Sequence, residues 1–482
     1  CSNYLDIDST HVAAEDGQWE SISDSRSALI GVYGLSRAAL ANNNGYWIYG
    51  ELRKGDFSSY KRPDLQAIVN NELNASNDLI EDLSDWRRFY AVINAASVFI
   101  EKAPRILEKD SRYSEVNLKY DIAQVRALRA FAYFNLTRIW GDVPLLTAAY
   151  DNGSFRELPR TSSIAVLKYA ENELIEASKD LPYLYGVAPQ NYYGENQSYW
   201  NGVLINKVSA FSILAHIAAW KGDYINTEIY SSFVLDNYTK VNANYVTVTD
   251  LTATGGFFSQ KSPSQLVSFS FLDDYGESTK VGHIEDLALA QPMITKPFPD
   301  IYVPKEKIIT IFNNENDLRF GLDSITKLYR TNYFTNYDGD VPVFSKIKVI
   351  GNGTGDGNYS IFGSSLVFSR LEDITLLKAE ALTVLNREDD AIILLNLIRT
   401  NRGLPVFIKD KATISVLEAV FQERRREFMG EGCYWYDQIR YQRLTQSDPE
   451  FVELEKNGGI FWPVSQKVLE ANSLITQNNH WK

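Results

Sequence analysis

Hydrophobic residues recur at helical spacing over most of the chain. Residues 22–41 carry an apolar stripe that follows Ser and Asp residues able to cap a helix. Residues 64–107 are predicted to form a longer helical stretch. The clearest helix is predicted from about Asp121 to Trp140, and Gly141 is placed to end it. The pattern therefore predicts a mainly α-helical protein.

Two segments are predicted to form pairs of helices joined by short turns. The first spans residues 211–236 and turns at Gly222-Asp223-Tyr224, and the second spans residues 376–399 and turns at residues 386–389. Both have the small-residue spacing of tetratricopeptide hairpins. Because they lie far apart in the chain, they indicate a degenerate set of pairs rather than a regular array.

The pattern of apolar and polar residues between residues 239 and 370 is no longer mainly helical. Residues 245–249 and 266–271 alternate in the manner of short strands, and glycine-rich loops separate such segments. We therefore expect three parts: an N-terminal helical region (1–238), an irregular mixed α/β insertion (239–370), and a C-terminal helical region (371–482) that packs on the first. Loop-rich insertions on rigid scaffolds commonly carry binding sites.

Composition and charge narrow the range of partners. The net charge of −13 argues against nucleic acid, because phosphate binding needs concentrated Lys and Arg, and against adsorption to an anionic lipid surface. No run of 18 or more apolar residues occurs. Cys1 is what a bacterial lipoprotein signal peptidase would leave, so we expect lipidation there and membrane contact only through that anchor. The alternative is that the sequence begins at a cysteine by chance.

Catalytic and metal-binding signatures are missing from the sequence. It contains no HExxH, CxxC, GxSxG or Walker A pattern, and its 4 histidines are scattered. The run of arginines at residues 424–426 is flanked by Glu423 and Glu427, which favours ion pairs over an anion site. A pair of carboxylates at glycosidase spacing could still arise among 61 acidic residues. We expect a binding protein with no catalytic residue, metal or cofactor.

Aromatic residues that are expected to face solvent, outside core stripes and interleaved with hydrogen-bonding groups, are the best sequence signal for a ligand site. Sugar rings stack on Tyr and Trp, while their hydroxyls need fixed polar partners. Three segments fit this criterion: the stretch after the first helix, a polar loop at residues 191–201, and residues 329–338 of the insertion. For each, the alternative is packing at the base of a loop or against a partner protein. The candidate ligand-binding residues are Trp47, Tyr49, Asp56, Tyr60, Tyr192, Tyr193, Tyr199, Trp200 and Tyr333.

Two longer motifs resemble the hallmark segments of the SusD/RagB family. They are RALRAFAYFNLTRIWGDVPL at residues 126–145 and ERRREFMGEGCYWYDQIR at residues 423–440. Supporting matches are the Cys1 start followed by Tyr-Leu-Asp, Ala-Glu-Ala at residues 379–381, and Trp-Pro-Val at residues 462–464. These matches occur in order over nearly the whole chain.

The resemblance implies a fold, a location and a role. Members of that family are lipoproteins on the outer surface of Bacteroidetes cells, with a tetratricopeptide-like helical scaffold and a variable part that carries the ligand site. They act as a lid over a SusC-type TonB-dependent transporter in the outer membrane and deliver glycans or, in some members, peptides. Glycan capture is the expected function here, with peptide capture as the alternative. The hallmark motifs identify the fold and do not locate the ligand.

Overall fold

The computed structural model describes residues 19–150, 157–271, 276–352 and 360–482. Cys1, the expected lipidation site, lies outside these residues. Within the described ranges, every helix is too short or too polar to span a bilayer.

Helices dominate the structure, as the apolar spacing predicts. In chain order the helices are α1 (Ile22–Ala41), α2 (Gly45–Trp47), α3 (Pro63–Val69), α4 (Asp78–Ser84), α5 (Arg87–Lys102), α6 (Ile106–Lys109), α7 (Glu115–Trp140), α8 (Ser163–Asp180), α9 (Gln197–Trp200), α10 (Lys207–Lys221), α11 (Tyr224–Asn237), α12 (Val248–Thr252), α13 (Ile284–Ala288), α14 (Lys305–Ile311), α15 (Leu371–Val384), α16 (Glu388–Asn401), α17 (Val416–Glu427), α18 (Tyr434–Thr445), α19 (Pro449–Lys456) and α20 (Gln466–Ala471). The mainly α-helical fold with tetratricopeptide-like hairpins is confirmed.

The strands are short and pair two at a time. They are β1 (Ser58–Ser59), β2 (Val267–Phe269), β3 (Ile301–Tyr302), β4 (Phe334–Thr335), β5 (Val343–Phe344), β6 (Ile350–Asn352), β7 (Ser360–Phe362) and β8 (Leu366–Ser369). The antiparallel pairs are β1 with β3, β2 with β8, β4 with β5, and β6 with β7. All but β1 lie between residues 239 and 370, so this segment has the irregular mixed character that its sequence predicts.

Both predicted helix pairs form, and local chemistry explains their turns. α10 ends at Gly222, whose φ of 76° is the left-handed conformation that glycine adopts without strain. The side chain of Asp223 then accepts a hydrogen bond from the backbone N–H of Asn226 and caps α11. In the second pair, Asn386 takes the left-handed conformation between α15 and α16.

Two local predictions are wrong. Residues 64–107 are not one helical stretch, because Asn71 takes a positive φ after α3 and the Asn77 side chain caps a new helix, α4. Residues 245–249 are not a strand. The Thr247 hydroxyl accepts a hydrogen bond from the N–H of Asp250 and starts α12 instead.

The helix α7 forms the centre of the molecule. Its residues from Val125 to Trp140 are buried except for Arg126, which is partly exposed, because α5 and α8 pack on either side of it. The backbone N–H of Trp462 donates to the carbonyl of Ile139 at 2.7 Å, and the indole of Trp140 donates to the carbonyl of Pro463. The segment at residues 462–463 therefore packs against the end of α7.

A fully buried ion network joins the insertion to the C-terminal helices. The carboxylate of Glu427 accepts from Arg402 at 2.7 and 2.8 Å, from Arg370 at 2.8 Å and from Arg319 at 3.1 Å. Glu423 adds an ion pair to Arg319 at 2.8 Å. All five side chains are at most 1% exposed. Glu423 pairs with Arg426 of the arginine run, as predicted, whereas the partners of Glu427 lie outside that run.

Two backbone segments meet closely at a pair of glycines, Gly50 and Gly432. Gly50 lies in a π-helical turn, Ile48–Leu52, that approaches Gly432 closely. A Cβ atom added at Gly50 would lie 1.8 Å from the carbonyl oxygen of Gly432. The neighbouring Glu51 carboxylate accepts from the N–H groups of Gly430 and Gly432 at 2.8 and 3.0 Å. Only a residue without a side chain fits here.

The substitution Gly50→Ala is expected to lower the free energy of unfolding by about 1–3 kcal/mol, because backbone atoms must move to admit the methyl group. Gly34→Ala is the control, since its Cβ would meet nothing within 4 Å and alanine favours the helix interior. Urea unfolding followed by circular dichroism measures both. Equal stability of the two variants would contradict the close contact.

The substitution Glu427→Gln is expected to destabilise the fold by roughly 3–5 kcal/mol, because three buried guanidinium groups lose their shared counter-charge. Lys456→Gln is a control on the surface, where an ion pair contributes little. Both are measured by urea unfolding. A change at Glu427 no larger than that at Lys456 would show that the network does not stabilise the fold.

The network also predicts a loss of stability in acid. Burial alone would raise the pKa of Glu423, but Arg426 and Arg319 outweigh it and lower the pKa from 4.5 to about 2. A lowered carboxyl pKa contributes stability that is present above the unfolded value of 4.5 and is lost as pH falls towards 2. Unfolding midpoints measured from pH 5 to pH 2.5 should therefore fall more steeply for the native chain than for Glu423→Gln. Parallel curves would contradict this assignment.

Candidate functional site

The aromatic residues of the loop at 191–201 are mostly part of a buried anchor. The hydroxyl of Tyr193 donates to Asp121 at 2.5 Å, and the hydroxyls of Tyr192 and Tyr113 donate to the same carboxylate. Burial raises the pKa of Asp121 to about 6, although these hydroxyl donors oppose the rise. The indole of Trp200 is also buried and donates to the carbonyl of Tyr192 at 2.9 Å. This cluster fastens the loop to α7.

The candidates after the first helix are buried as well. Trp47 packs near the ring of His283 at 6.4 Å, and Tyr49 packs edge-on against Trp462 at 5.0 Å. The aromatic residues of this segment do not face solvent, because the segment continues as helical turns to Leu52 and packs into the core.

Asp56 and Tyr333 are also committed to internal contacts. Asp56 is 3% exposed and pairs with Arg425 at 2.5 Å. Tyr333 is fully buried, and its hydroxyl donates to the carbonyl of Glu427 at 3.1 Å. The expectation of solvent-facing side chains is therefore wrong for seven candidates, because each finds packing or a hydrogen-bond partner inside the protein. These seven are Trp47, Tyr49, Asp56, Tyr192, Tyr193, Trp200 and Tyr333.

Tyr60 and two aromatic residues of the insertion form an accessible cluster, called here the first aromatic patch. The rings of Tyr60 and Phe298 lie 4.9 Å apart, and the ring of Tyr302 lies 6.4 Å from that of Tyr60. Pairing of β1 with β3 brings the two segments together, and the N–H of Tyr60 donates to the carbonyl of Asp300. Phe298 is 44% exposed, and the two tyrosines are half-buried.

Charged groups surround the first aromatic patch. The carboxylate of Asp300 pairs with Arg62 and with Lys296, each at 3.0 Å. The exposed ammonium group of Lys61 lies 5.1 Å from the centre of the Tyr60 ring. The patch therefore combines apolar ring faces with hydrogen-bonding groups that ion pairs hold in place.

A second aromatic patch consists of Phe320, Tyr329 and Tyr337. Tyr329 is 41% exposed and stacks on buried Phe320 with ring centres 4.8 Å apart, and Tyr337 lies 5.0 Å from Tyr329. Lys305, at the start of α14, lies 5.8 Å from the Tyr337 ring and follows Tyr302 by three residues. The two patches are therefore joined by the segment that begins α14.

Tyr199 is the other candidate that remains accessible, at 38% exposure. Its hydroxyl accepts from Arg26 at 3.3 Å, and the ammonium group of Lys261 lies 5.3 Å from its ring. The structure thus brings Tyr199 near cationic groups, but it does not bring it together with Tyr60.

A groove of about 640 Å³ runs along α5 on the helical body. Its walls include Trp86, Tyr90 and Leu146. Two amide side chains line it, but Asn94 already exchanges two hydrogen bonds with the backbone of Tyr150, and Asn472 donates to the carbonyl of Leu158. The groove therefore offers apolar surface and few free polar groups.

Sequence reasoning missed Phe298 and Tyr302. The signal was available in the run Lys-Pro-Phe-Pro-Asp at residues 296–300. Prolines on both sides of Phe298 disfavour a helix and a central strand, so the ring belongs to an extended loop that can reach solvent. The pairing of Tyr60 with Tyr302 could not be read from the sequence, because more than 240 positions separate them.

Comparison with known proteins identifies the family. The sequence pattern of the SusD family matches residues 352–456. A SusD superfamily protein of known structure from Bacteroides thetaiotaomicron is 52% identical, with a TM-score of 0.90 over 96% of this chain and 100% of that one. A SusD homolog from the same organism is 20% identical with a TM-score of 0.76, over 96% of this chain and 99% of that one, and shares the fold.

A relative from Formosa agariphila supports the same assignment. The SusD-like protein P38 is 25% identical over 527 aligned positions, which cover 99% of this chain and 95% of that protein. High identity to a solved structure over the whole length, together with both hallmark motifs in the core, leads to one conclusion: this chain belongs to the SusD family.

Proposed function

We propose that this protein captures glycan oligosaccharides on the first aromatic patch and passes them to a SusC-type TonB-dependent transporter. The observation that carries the proposal is the accessible group of Tyr60, Phe298 and Tyr302. Flat aromatic faces offer the C–H side of a sugar ring a large contact area at low entropic cost. Binding rather than catalysis accords with the family, whose members are binding proteins.

Fixed polar groups beside the rings support a sugar ligand. Arg62 and Lys296 hold the Asp300 carboxylate, so the ordering of these side chains costs little further entropy on binding. Sugar hydroxyls need such preset donors and acceptors. A hydroxyl that loses its hydrogen bonds to water and gains no partner in the protein weakens binding. We also propose the second aromatic patch as a further contact for a longer oligosaccharide, because Lys305 beside it follows Tyr302 by three residues.

The proposed cellular setting follows from family membership. We place the protein on the outer surface of an outer membrane, held by a lipid on Cys1, with the transporter as its partner. The acidic net charge accords with a tether that acts through lipid insertion rather than through attraction to anionic headgroups.

Peptide capture is the second candidate, and the groove along α5 favours it. Its apolar walls suit peptide side chains, and its two amides are occupied by backbone groups of the protein itself. The groove and the first aromatic patch involve different residues, so single substitutions separate the two functions.

Substitution of the first aromatic patch is expected to weaken glycan binding. Each of Tyr60→Ala and Phe298→Ala removes one stacking contact worth about 0.5–1.5 kcal/mol, so each should raise Kd about 2- to 10-fold. The matched control is Tyr90→Ala in the groove, which should leave Kd unchanged. Isothermal titration against a panel of oligosaccharides and mixed peptides measures these effects.

Two results of that titration would overturn the glycan proposal. One is the absence of saturable heat with every oligosaccharide of the panel. The other is peptide binding that Tyr90→Ala abolishes while Tyr60→Ala and Phe298→Ala leave it intact, which would move the function to the groove.

A further inference from the structure

A polar pocket of about 290 Å³ opens between α16, α17 and the loop that links them. Arg399 near the end of α16, Lys411 in the linking loop and Arg426 on α17 provide three cationic side chains. Asn313 and Asn314 line the other side. None of the aromatic residues of the two patches lines this pocket.

Arg426 is the first sign that the pocket receives a ligand. The residue is 8% exposed, and one terminal nitrogen donates to Glu423 at 2.7 Å. Among the residues that the structure describes, its Nε is a buried donor without a hydrogen-bond partner. A buried donor of a charged group costs free energy when it has no hydrogen-bond partner. An acceptor bound in the pocket would remove this cost.

The charges around the pocket give the second sign. Glu423 is shared by Arg319, Arg399 and Arg426 at 2.8, 3.5 and 2.7 Å. Asp317 also lines the pocket, but its carboxylate is bound to Arg319 at 2.9 Å. Cations therefore outnumber the carboxylates that face them, in a chain whose net charge is −13.

Arg399 and Lys411 provide the other charged donors of the pocket. Arg399 uses its Nε for the carbonyl of Pro405, and burial lowers its pKa, an effect that Glu423 opposes and that neighbouring Arg426 strengthens. Lys411 is exposed at the rim, and within the described ranges its ammonium group has no partner. Each N–H of a guanidinium that is not already bound can donate one charge-assisted hydrogen bond to an oxyanion.

We infer that this pocket is a binding site for a small oxyanion, such as the carboxylate of an acidic sugar or amino acid, or a sulfate group. Its volume leaves room for a single sugar or amino acid unit beyond the anionic group. This site is independent of the aromatic patches, so it stands or falls separately from glycan capture there.

The test uses the full chain and three defined probes: sulfate, galacturonate and neutral galactose. Isothermal titration should show saturable binding of sulfate or galacturonate that substitution of Arg399 weakens, whereas the same substitution should leave any heat from galactose unchanged. Binding of both anions would indicate recognition of the charge, whereas galacturonate alone would indicate a carboxylate-bearing unit. A crystal soaked in selenate should show an anomalous peak beside Arg399 and Arg426.

Substitutions show whether the anion binds in this pocket. Arg399→Gln should weaken anion binding about 10-fold or more, because it removes a charge-assisted donor from a half-buried position. Lys411→Gln, at the exposed rim, should weaken it about 2- to 5-fold. The matched control is Lys409→Gln in the same turn, which pairs with Glu388 and should leave the affinity unchanged.

Clear outcomes would overturn the inference. They are the absence of saturable anion binding at millimolar concentration, or equal weakening by Lys409→Gln and Lys411→Gln, which would indicate general screening. Lys411 is exposed, and its ammonium group has no partner within the described residues, so its variant remains informative even if Arg399→Gln fails to fold.

Discussion

The buried carboxylate of Glu427 is the constraint on which the joint between the insertion and the helical body depends. Its guanidinium partners come from three separate places: Arg319 from the insertion, Arg370 from the residue before α15, and Arg402 from the end of α16. Taking such charges out of water costs several kcal/mol per ion, so the folded state tolerates them only when every partner is in place. These segments must therefore dock in one register.

The docking of these segments also positions residues of the proposed binding surface. Phe320 follows Arg319 directly, and its buried ring supports exposed Tyr329 at 4.8 Å. Tyr333 donates to the backbone of Glu427 itself. A ligand site on an irregular insertion needs support of this kind, because loops are mobile unless a rigid scaffold holds them. The family motif around Glu427 thus supports the proposed binding surface through position rather than contact.

Tyr192, Tyr193 and Tyr60 illustrate one physical difference between anchoring and accessible positions. Tyr192 and Tyr193 have Asp121 within reach of their hydroxyls, so burial leaves no polar group unpaired. Tyr60 has Phe298 beside its ring, an exposed loop residue, and remains accessible. The availability of an internal acceptor therefore separates anchoring tyrosines from those that can contact a ligand.

The sequence by itself determined the helical class, the two hairpins and the family. Apolar spacing, the capping of α11 by Asp223 and the left-handed turn at Gly222 are local effects, and the hallmark motifs are contiguous in the chain. The tertiary structure alone decided which aromatic residues are exposed, and it alone created the pocket beside Arg426. Both depend on segments that lie far apart in the chain, and local sequence patterns do not indicate which distant segments will pack together.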